Sequence, residues 1–399
     1  MSKGISTDSA VGRTVLMLGH VAGMLDLVIL PLWVGGMMRT YNVQPQVAGG
    51  IVTLFLVGVL ASNGILSRLF GRIWNRPVVI VGYALSAAAF FAMTRLPFGL
   101  SSPLTELAVL HFIAGIGVGA GLSCVHGTIA RSGNPHRNFA IANLGVGIFA
   151  IAFFAITPPF LAQIGVNAVF FAVFFVTCLA ILAAVLAFPE NAPEGAGVAV
   201  AHASTPPASG ALMATLAIGF LGVVLLQTAQ AATTSFAERV GDFRGFGLSA
   251  IGLMFAVNGF VALTAPVFAG VLQNKLSAVA VAAVALVVHG LCSITIMNAT
   301  DFYVYSAGFM LLIFATIFGH TFIFGLFAKL DPTGRMNAST PSMLMLGTAI
   351  GPALGGTIVQ FYGFPVLGFV SGAIAIAGAI CFLVLGRNVR AAAPALAAA

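Results

Sequence analysis

Polar residues are so sparse along this chain that its pattern is set by where the apolar runs stop. Cutting at the polar and Pro/Gly breaks leaves twelve runs, near 14–38, 47–67, 77–96, 104–130, 139–162, 166–188, 210–235, 248–271, 276–297, 302–328, 338–360 and 364–386. Each is close to the ~20 mostly apolar residues a helix needs to cross a bilayer. None alternates with period two, as a barrel strand would. The pattern predicts an all-α membrane protein with twelve transmembrane helices.

The longest polar interruption is PENAPEGAGVAVAHASTPPASG, residues 189–210, a Pro-, Ala-, Gly- and Ser-rich stretch without apolar periodicity. That composition predicts a flexible linker. It falls between the sixth and seventh runs, so the chain divides into an N-terminal six-helix bundle (1–188), a linker (189–210) and a C-terminal six-helix bundle (211–399). A faint repeat supports the division. GILSRL (64–69) and GVLQNK (270–275) follow the second run of each half, and parallel repeats of this kind are a transporter signature.

Composition agrees with the pattern. Of 399 residues, 60% are hydrophobic and 6% charged, with a mean hydropathy of +1.10, against roughly 25% charged in a soluble domain. The natural solvent is lipid. The four cysteines, Cys124, Cys178, Cys292 and Cys381, lie inside apolar runs without a CxxC pair and read as small buried hydrophobes. The first run is longer than a signal-peptide core and has no A-x-A site, so it is expected to be retained.

Net charge is +7, but the cations form no continuous basic face, so the excess reads as topology and nucleic acid is not an expected partner. Loop Lys and Arg tend to stay cytoplasmic. With the N-terminus inside, that side holds Lys3, Arg13, Arg68, Arg72, Arg76, Arg131, Arg137, Lys275, Lys329, Arg335, Arg387 and Arg390. The other side holds Arg39, Arg95, Arg239 and Arg244. Both termini are therefore expected in the cytoplasm, in a multi-pass inner-membrane protein. The same cut puts Asp8, Glu106, Glu190, Glu194, Glu238, Asp242, Asp301 and Asp331 in loops, tails or helix ends, and leaves only Asp26, in GMLDLVILPLW, at mid-membrane.

The chain resembles the major facilitator superfamily over essentially its whole length. Gly64, Leu66, Gly71 and Arg72 match the family's loop motif between helices 2 and 3, G-x-L-x-D-R-x-G-R, with Arg68 in place of the acid and Leu69 in place of the next Arg. Asn274 and Lys275 are a weak second copy. In the fourth run a glycine ladder, Gly115, Gly117, Gly119 and Gly121, follows His111, which stands where the family often has Arg. The eleventh run carries GTAIGPALGG, in which Gly347, Gly351, Pro352, Gly355 and Gly356 match G-x-x-x-G-P-x-x-G-G, a pattern associated with exporters when it lies in helix 5. The resemblance implies two six-helix bundles with a central cavity and alternating access by rocking. It also implies a conformational gate at Gly64, Arg68, Gly71, Arg72, Gly351 and Pro352.

A carboxylate at the bilayer centre costs about 2.5–3.5 kcal/mol on insertion scales. Chains keep such a group where it faces a cavity or takes a proton, because burial penalises the charged form and brings protonation into the working range. Asp26 is thus the expected proton-coupling residue; the alternative is a protonated acid bracing the first helix. His111, whose ring titrates near neutrality when unperturbed, is the second proton-coupling candidate; its alternative is a neutral imidazole bonded to a neighbouring helix. Gln227 and Gln230, at i and i+3 on one face, with Asn258 and His320, are the substrate-binding candidates, set against ordinary hydrogen bonding between helices. For His320 and His289 a structural role is expected. The glycine stripes are expected to let helices approach closely, and Pro31, Pro266 and Pro352 to kink theirs.

A cavity poor in Lys and Arg suits a small, weakly polar organic substrate, aromatic or monocarboxylate in character. Proton-coupled uptake is favoured, with a proton-driven exporter as the alternative. Copper import is a further alternative, with His20, Met24, Cys124 and His126 as soft or imidazole ligands, although thirteen methionines form no MxxxM pair. The chain has no Walker loop, HExxH, GxSxG or paired carboxylates, so an enzyme is not expected, and no cofactor is implied. A non-transporting receptor stays open, though no large cytoplasmic domain is present to carry a signal. A monomer is expected.

Overall fold

The computed structural model describes residues 5–69, 72–97, 103–189, 210–331, 336 and 340–397. All regular structure among them is helical: α1 (Ala10–Gly23), α2 (Asp26–Tyr41), α3 (Pro45–Leu69), α4 (Asn75–Met93), α5 (Leu104–Ala130), α6 (Pro135–Ile164) and α7 (Asn167–Ala187) precede the linker. After it come α8 (Gly210–Phe243), α9 (Leu248–Leu272), α10 (Ala278–Asn298), α11 (Phe302–Leu330) and α12 (Thr340–Ala397). Eleven stretches are long and apolar enough to span a membrane. The last is broken at Gly363, whose φ of 81° and ψ of 173° no helix contains, so it supplies two spans and the chain crosses twelve times. That break falls where the sequence separates 338–360 from 364–386.

Local chemistry sets the ends. Ser9 caps α1 by accepting the Gly12 amide at 3.0 Å, and Asn134 caps α6 by accepting the Arg137 amide at 3.1 Å, with Pro135 next to it. Asp301 accepts the Tyr303 and Val304 amides at 2.9 and 3.0 Å and starts α11. Short polar side chains at such positions satisfy donors that the helix leaves unpaired.

The chain packs as two compact units, Met1–Val200 with Gly247–Gly259, and Ala201–Phe246 with Phe260–Ala399. In the first, α5 lies between α3 and α4, and the glycine ladder explains how. Successive glycines two apart alternate sides. A Cβ on Gly115 would strike Phe55 and one on Gly119 would strike Val59, both on α3. A Cβ on Gly117 would strike Gly82, and one on Gly121 would strike Tyr83, both on α4. Period two on a 3.6-residue helix thus makes two i, i+4 stripes on nearly opposite faces. In the second unit Gly347, Gly351 and Gly355 form one stripe against Val224–Phe236 of α8, and Gly368 and Gly372 a second against Ser293 and Ile294 of α10. Leu226, Leu286, Ile323, Phe327 and Phe382 fill the core beside them.

Candidate functional site

The first predicted span is two helices. α1 ends at Gly23, Met24 leaves helical geometry (φ −116°, ψ 17°), and α2 begins at Asp26 with Leu25, in right-handed helical geometry, as its N-cap. The sequence points to a kink at Pro31, yet α2 runs through Pro31 to Tyr41. Gly23 lies directly against Leu122 of α5, where a Cβ would collide, so the break sits at a point of close tertiary contact. The first intrahelical bonds of α2 are given by Val28 and Ile29 to the Leu25 carbonyl, both at 3.0 Å. The amides before them belong to the open first turn.

Asp26 occupies that turn. It is 1% exposed; neither carboxylate oxygen has a hydrogen-bond partner of good geometry, and the Asp26 and Leu27 amides of the open turn lie beside the carboxyl. Two influences on its charged form oppose each other. Desolvation penalises it, while the partial positive charge of a helix N-terminus favours it.

His111, on α5, is fully buried. Its Nδ1 lies 2.7 Å from the Leu107 carbonyl, which makes Nδ1 the protonated nitrogen. The Trp33 indole N–H from α2 donates to Nε2 at 3.2 Å. The ring stacks on Trp33 at 5.3 Å between centroids, with Phe170 edge-on at 5.8 Å. Asp26 and His111 thus belong to the same unit, with the histidine fully committed as a neutral imidazole.

The candidates of the second half are not gathered into one cluster. Gln227 on α8 donates to Thr348 Oγ1 on α12 at 3.2 Å. Its side-chain amide oxygen and that of half-buried Gln230 have no partner. His320 on α11 stacks on Phe324 at 5.4 Å, and His289 on α10 meets Thr316 Oγ1 at 2.9 Å. Asn258, on α9, keeps a buried oxygen without a partner, and adjacent Gly259 abuts Ile151 of α6.

Of the gate residues, Gly64 is exposed near the end of α3, Arg72 is exposed in the turn after it, and Gly351 and Pro352 are buried in α12. Gly71 lies outside the described residues, as does most of the linker 189–210, and Arg68 is described only in its backbone within α3. Among the described residues no three His, Cys, Asp or Glu side chains converge as ligands for one metal ion. Of the copper candidates, His20 and His126 do meet, as a pair.

Three features escape the sequence pattern. Glu238, assigned above to a helix end, is 0% exposed in α8, because that helix runs to Phe243, two turns beyond the predicted 235. Tyr305 is its electrostatic neighbour and donates to the Ala237 carbonyl at 2.7 Å. The second is a polar latch. Asp8 accepts from the Gly133 amide at 2.8 Å and from Asn138 Nδ2 at 3.0 Å, while Arg13 Nε donates to Asn138 Oδ1 at 3.1 Å. The Asn138 amide, then the Gly133 N–H and Arg13, hold the Asp8 carboxyl below the usual carboxylate range against partial desolvation. The third is the direct contact between His20 and His126, which the sequence offered only as metal-ligand candidates, 2.9 Å between Nδ1 and Nε2.

Long apolar helices in two multi-helix units, meeting on glycine stripes, define a polytopic all-α membrane protein. The Major Facilitator Superfamily profile matches residues 15–333, and the chain belongs to that family. It is a membrane-embedded transporter of small molecules, not an enzyme. The fold is similar to that of the nucleoside transporter NupG (TM-score 0.70, 12% identity, covering 94% of this chain and 99% of that one). It is similar also to a D-xylose-proton symporter (0.71, 13%, 93% and 96%) and to the human organic anion transporter MFSD10 (0.66, 16%, 94% and 100%). No curated protein matches in sequence.

Proposed function

We propose that this transporter takes up a small, weakly polar organic molecule together with protons, by alternating access, with Asp26 as the proton-coupling residue. The observation that carries the reading is a carboxyl 1% exposed, with no partner of good geometry for either oxygen, at a break in a membrane-spanning segment. Intramembrane acids are kept at a cost and are functional by default. An acid whose proton occupancy differs between the inward- and outward-facing states links proton movement to conformation. The similarity of the fold to a D-xylose-proton symporter supports the coupling ion.

Among the described residues the buried polar side chains are amides, hydroxyls, imidazoles and the carboxyls of Asp26 and Glu238, with no Lys or Arg. This favours an uncharged or singly charged substrate, with the unpartnered amide oxygens of Gln227 and Gln230 as acceptors for it. His111 serves this site by tying Trp33, on the same helix as Asp26, to α5. The distribution of Lys and Arg supports a chain in the cytoplasmic membrane with both termini inside.

The test is uptake of labelled nucleosides, pentoses and aromatic monocarboxylates into proteoliposomes under an imposed proton gradient. Wild type should accumulate one class, and Asp26→Asn should abolish accumulation while melting normally and retaining exchange of the same compound. Accumulation by Asp26→Asn equal to wild type overturns the reading.

A further inference from the structure

On the second unit a groove of about 410 Å³ runs between α10 and α11. Leu291 and Thr295 line it from α10, and Val304, Gly308 and Leu311 from α11. Both walls belong to segments long and apolar enough to cross a membrane, Ala278–Asn298 and Phe302–Leu330. Leu291, Val304 and Leu311 are 60%, 50% and 49% exposed, so the groove opens to whatever surrounds those spans. The Thr295 hydroxyl donates to the Leu291 carbonyl at 2.9 Å, and Cys292 in the wall is a small, buried hydrophobe. No wall group calls for water, and around a membrane-embedded chain the medium at this level is hydrocarbon.

The floor is set by Gly308. A Cβ there would stand 3.3 Å from side-chain atoms of both Thr295 and Ile296, so the helices touch at that point while the larger side chains beside it stand as rims. From Val304 to Leu311 the α11 wall rises by about 10 Å, roughly two thirds of the ~15 Å of hydrocarbon in one leaflet. One end of the groove carries a charge. Asp301 caps α11, and its Oδ1 accepts the amides of Tyr303 and of Val304, the first wall residue, at 2.9 and 3.0 Å. The carboxylate therefore stands at the head of the groove. Asp301 is exposed, its Oδ2 takes neither of those bonds, and among the described residues it makes no ion pair. Tyr303, beside it, is 80% exposed, as suits a phenol at headgroup level.

We propose that this groove is a binding site for one phospholipid whose headgroup carries a primary ammonium, with a tail lying between α10 and α11 and the ammonium donating to Asp301 Oδ2. Charge complementarity selects the headgroup. An ammonium with N–H groups makes a charge-assisted hydrogen bond to a carboxylate. A quaternary choline brings the charge without a donor, and a headgroup of net negative charge is repelled. The tail supplies apolar contact along the walls, so the two ends of one molecule meet two different surfaces of the hairpin. A ligand held this way by the folded hairpin raises its stability by mass action. The site is independent of the proton-coupled reading above, because none of its groups belongs to the first unit.

The test titrates the purified full chain in detergent with phosphatidylethanolamine, phosphatidylcholine and phosphatidylglycerol of identical tails, counting bound lipid by native mass spectrometry and following melting in parallel. Wild type should retain one phosphatidylethanolamine, held about tenfold more tightly than phosphatidylcholine, as one charged hydrogen bond implies, and should melt higher with it. Asp301→Asn keeps the cap, since its side-chain oxygen still accepts the Tyr303 and Val304 amides, and should bind the two lipids alike. Ala307→Phe, at an exposed position of the groove wall, should weaken both; Ala307→Leu takes its place if the Phe variant does not fold. A wild type that ranks the three headgroups equally, or prefers phosphatidylglycerol, overturns the proposal. So does an ethanolamine preference that survives Asp301→Asn, or lipid retention that is unchanged when the groove is filled. A dimer that Ala307→Phe dissociates would give the groove to a second copy of the chain and overturn it too.

Discussion

The Trp33 indole N–H donates to His111 Nε2 at 3.2 Å while His111 Nδ1 engages the Leu107 carbonyl at 2.7 Å, so the imidazole is held neutral and joins α2 to α5. Removing the donor should leave an orphaned buried nitrogen. Trp33→Phe is expected to lower stability by about 1–3 kcal/mol, and His111→Ala to do at least as much by also opening a void. Thermal melting reports the loss. Transport by His111→Ala, measured across pH, should keep the wild-type profile; a profile that moves would return His111 to the proton path.

The glycine stripes of α5 give a graded series. Gly117→Ala drives a methyl into the Gly82 carbonyl and the Ser86 amide, both backbone, and should cost about 1–3 kcal/mol by overpacking. At Gly64 a methyl meets nothing within 4 Å, so Gly64→Ala should stay within about 0.5 kcal/mol of wild type. Parallel melts of the two variants check both.

The latch at Asp8 carries a pH sign. Its folded carboxyl titrates below the usual range because of Asn138, Gly133 and Arg13. Its contribution is therefore fully present above the unfolded carboxylate value of about 3.9 and is lost as pH falls through the lower folded value. Hydrogen exchange at the Gly133 amide, bonded to Asp8 at 2.8 Å, should be slow at pH 6 in wild type. Asp8→Ala should speed it several-fold without changing exchange in the α5 core.

Gln227 and Gln230 should separate in their effects. Gln227→Ala breaks the 3.2 Å bond to Thr348, and a double-mutant cycle with Thr348→Val should return a coupling of about 0.6 kcal/mol, typical within membranes. Gln230, half-buried with its side-chain Oε1 unused, should lose substrate affinity on change to Ala with little change in melting temperature.

Length and hydropathy were enough to predict twelve crossings, because lipid demands that each segment be apolar and satisfy its own backbone. The break at Gly363 was legible in the same way. The break before Asp26 was not, since Met24 and Leu25 are good helix formers and the interruption sits where Gly23 meets Leu122, a tertiary contact. Glu238 was misplaced because the apolar run ends before the helix does; hydropathy measures solvent preference, and α8 continues to Phe243 on packing against its own unit. The aspartate was visible as an anomaly. The aromatic and hydrogen-bonded setting of His111 required three dimensions.

With backbone touching backbone on both flanks of α5, the trio α3–α5–α4 has almost no compressible material in it. Such a plate cannot absorb a displacement by flexing, so a push delivered at one rim arrives undiminished at the other, as along a lever. Flexing is left instead to the neighbouring α1–α2 junction, where Met24 interrupts the helix just before the acid.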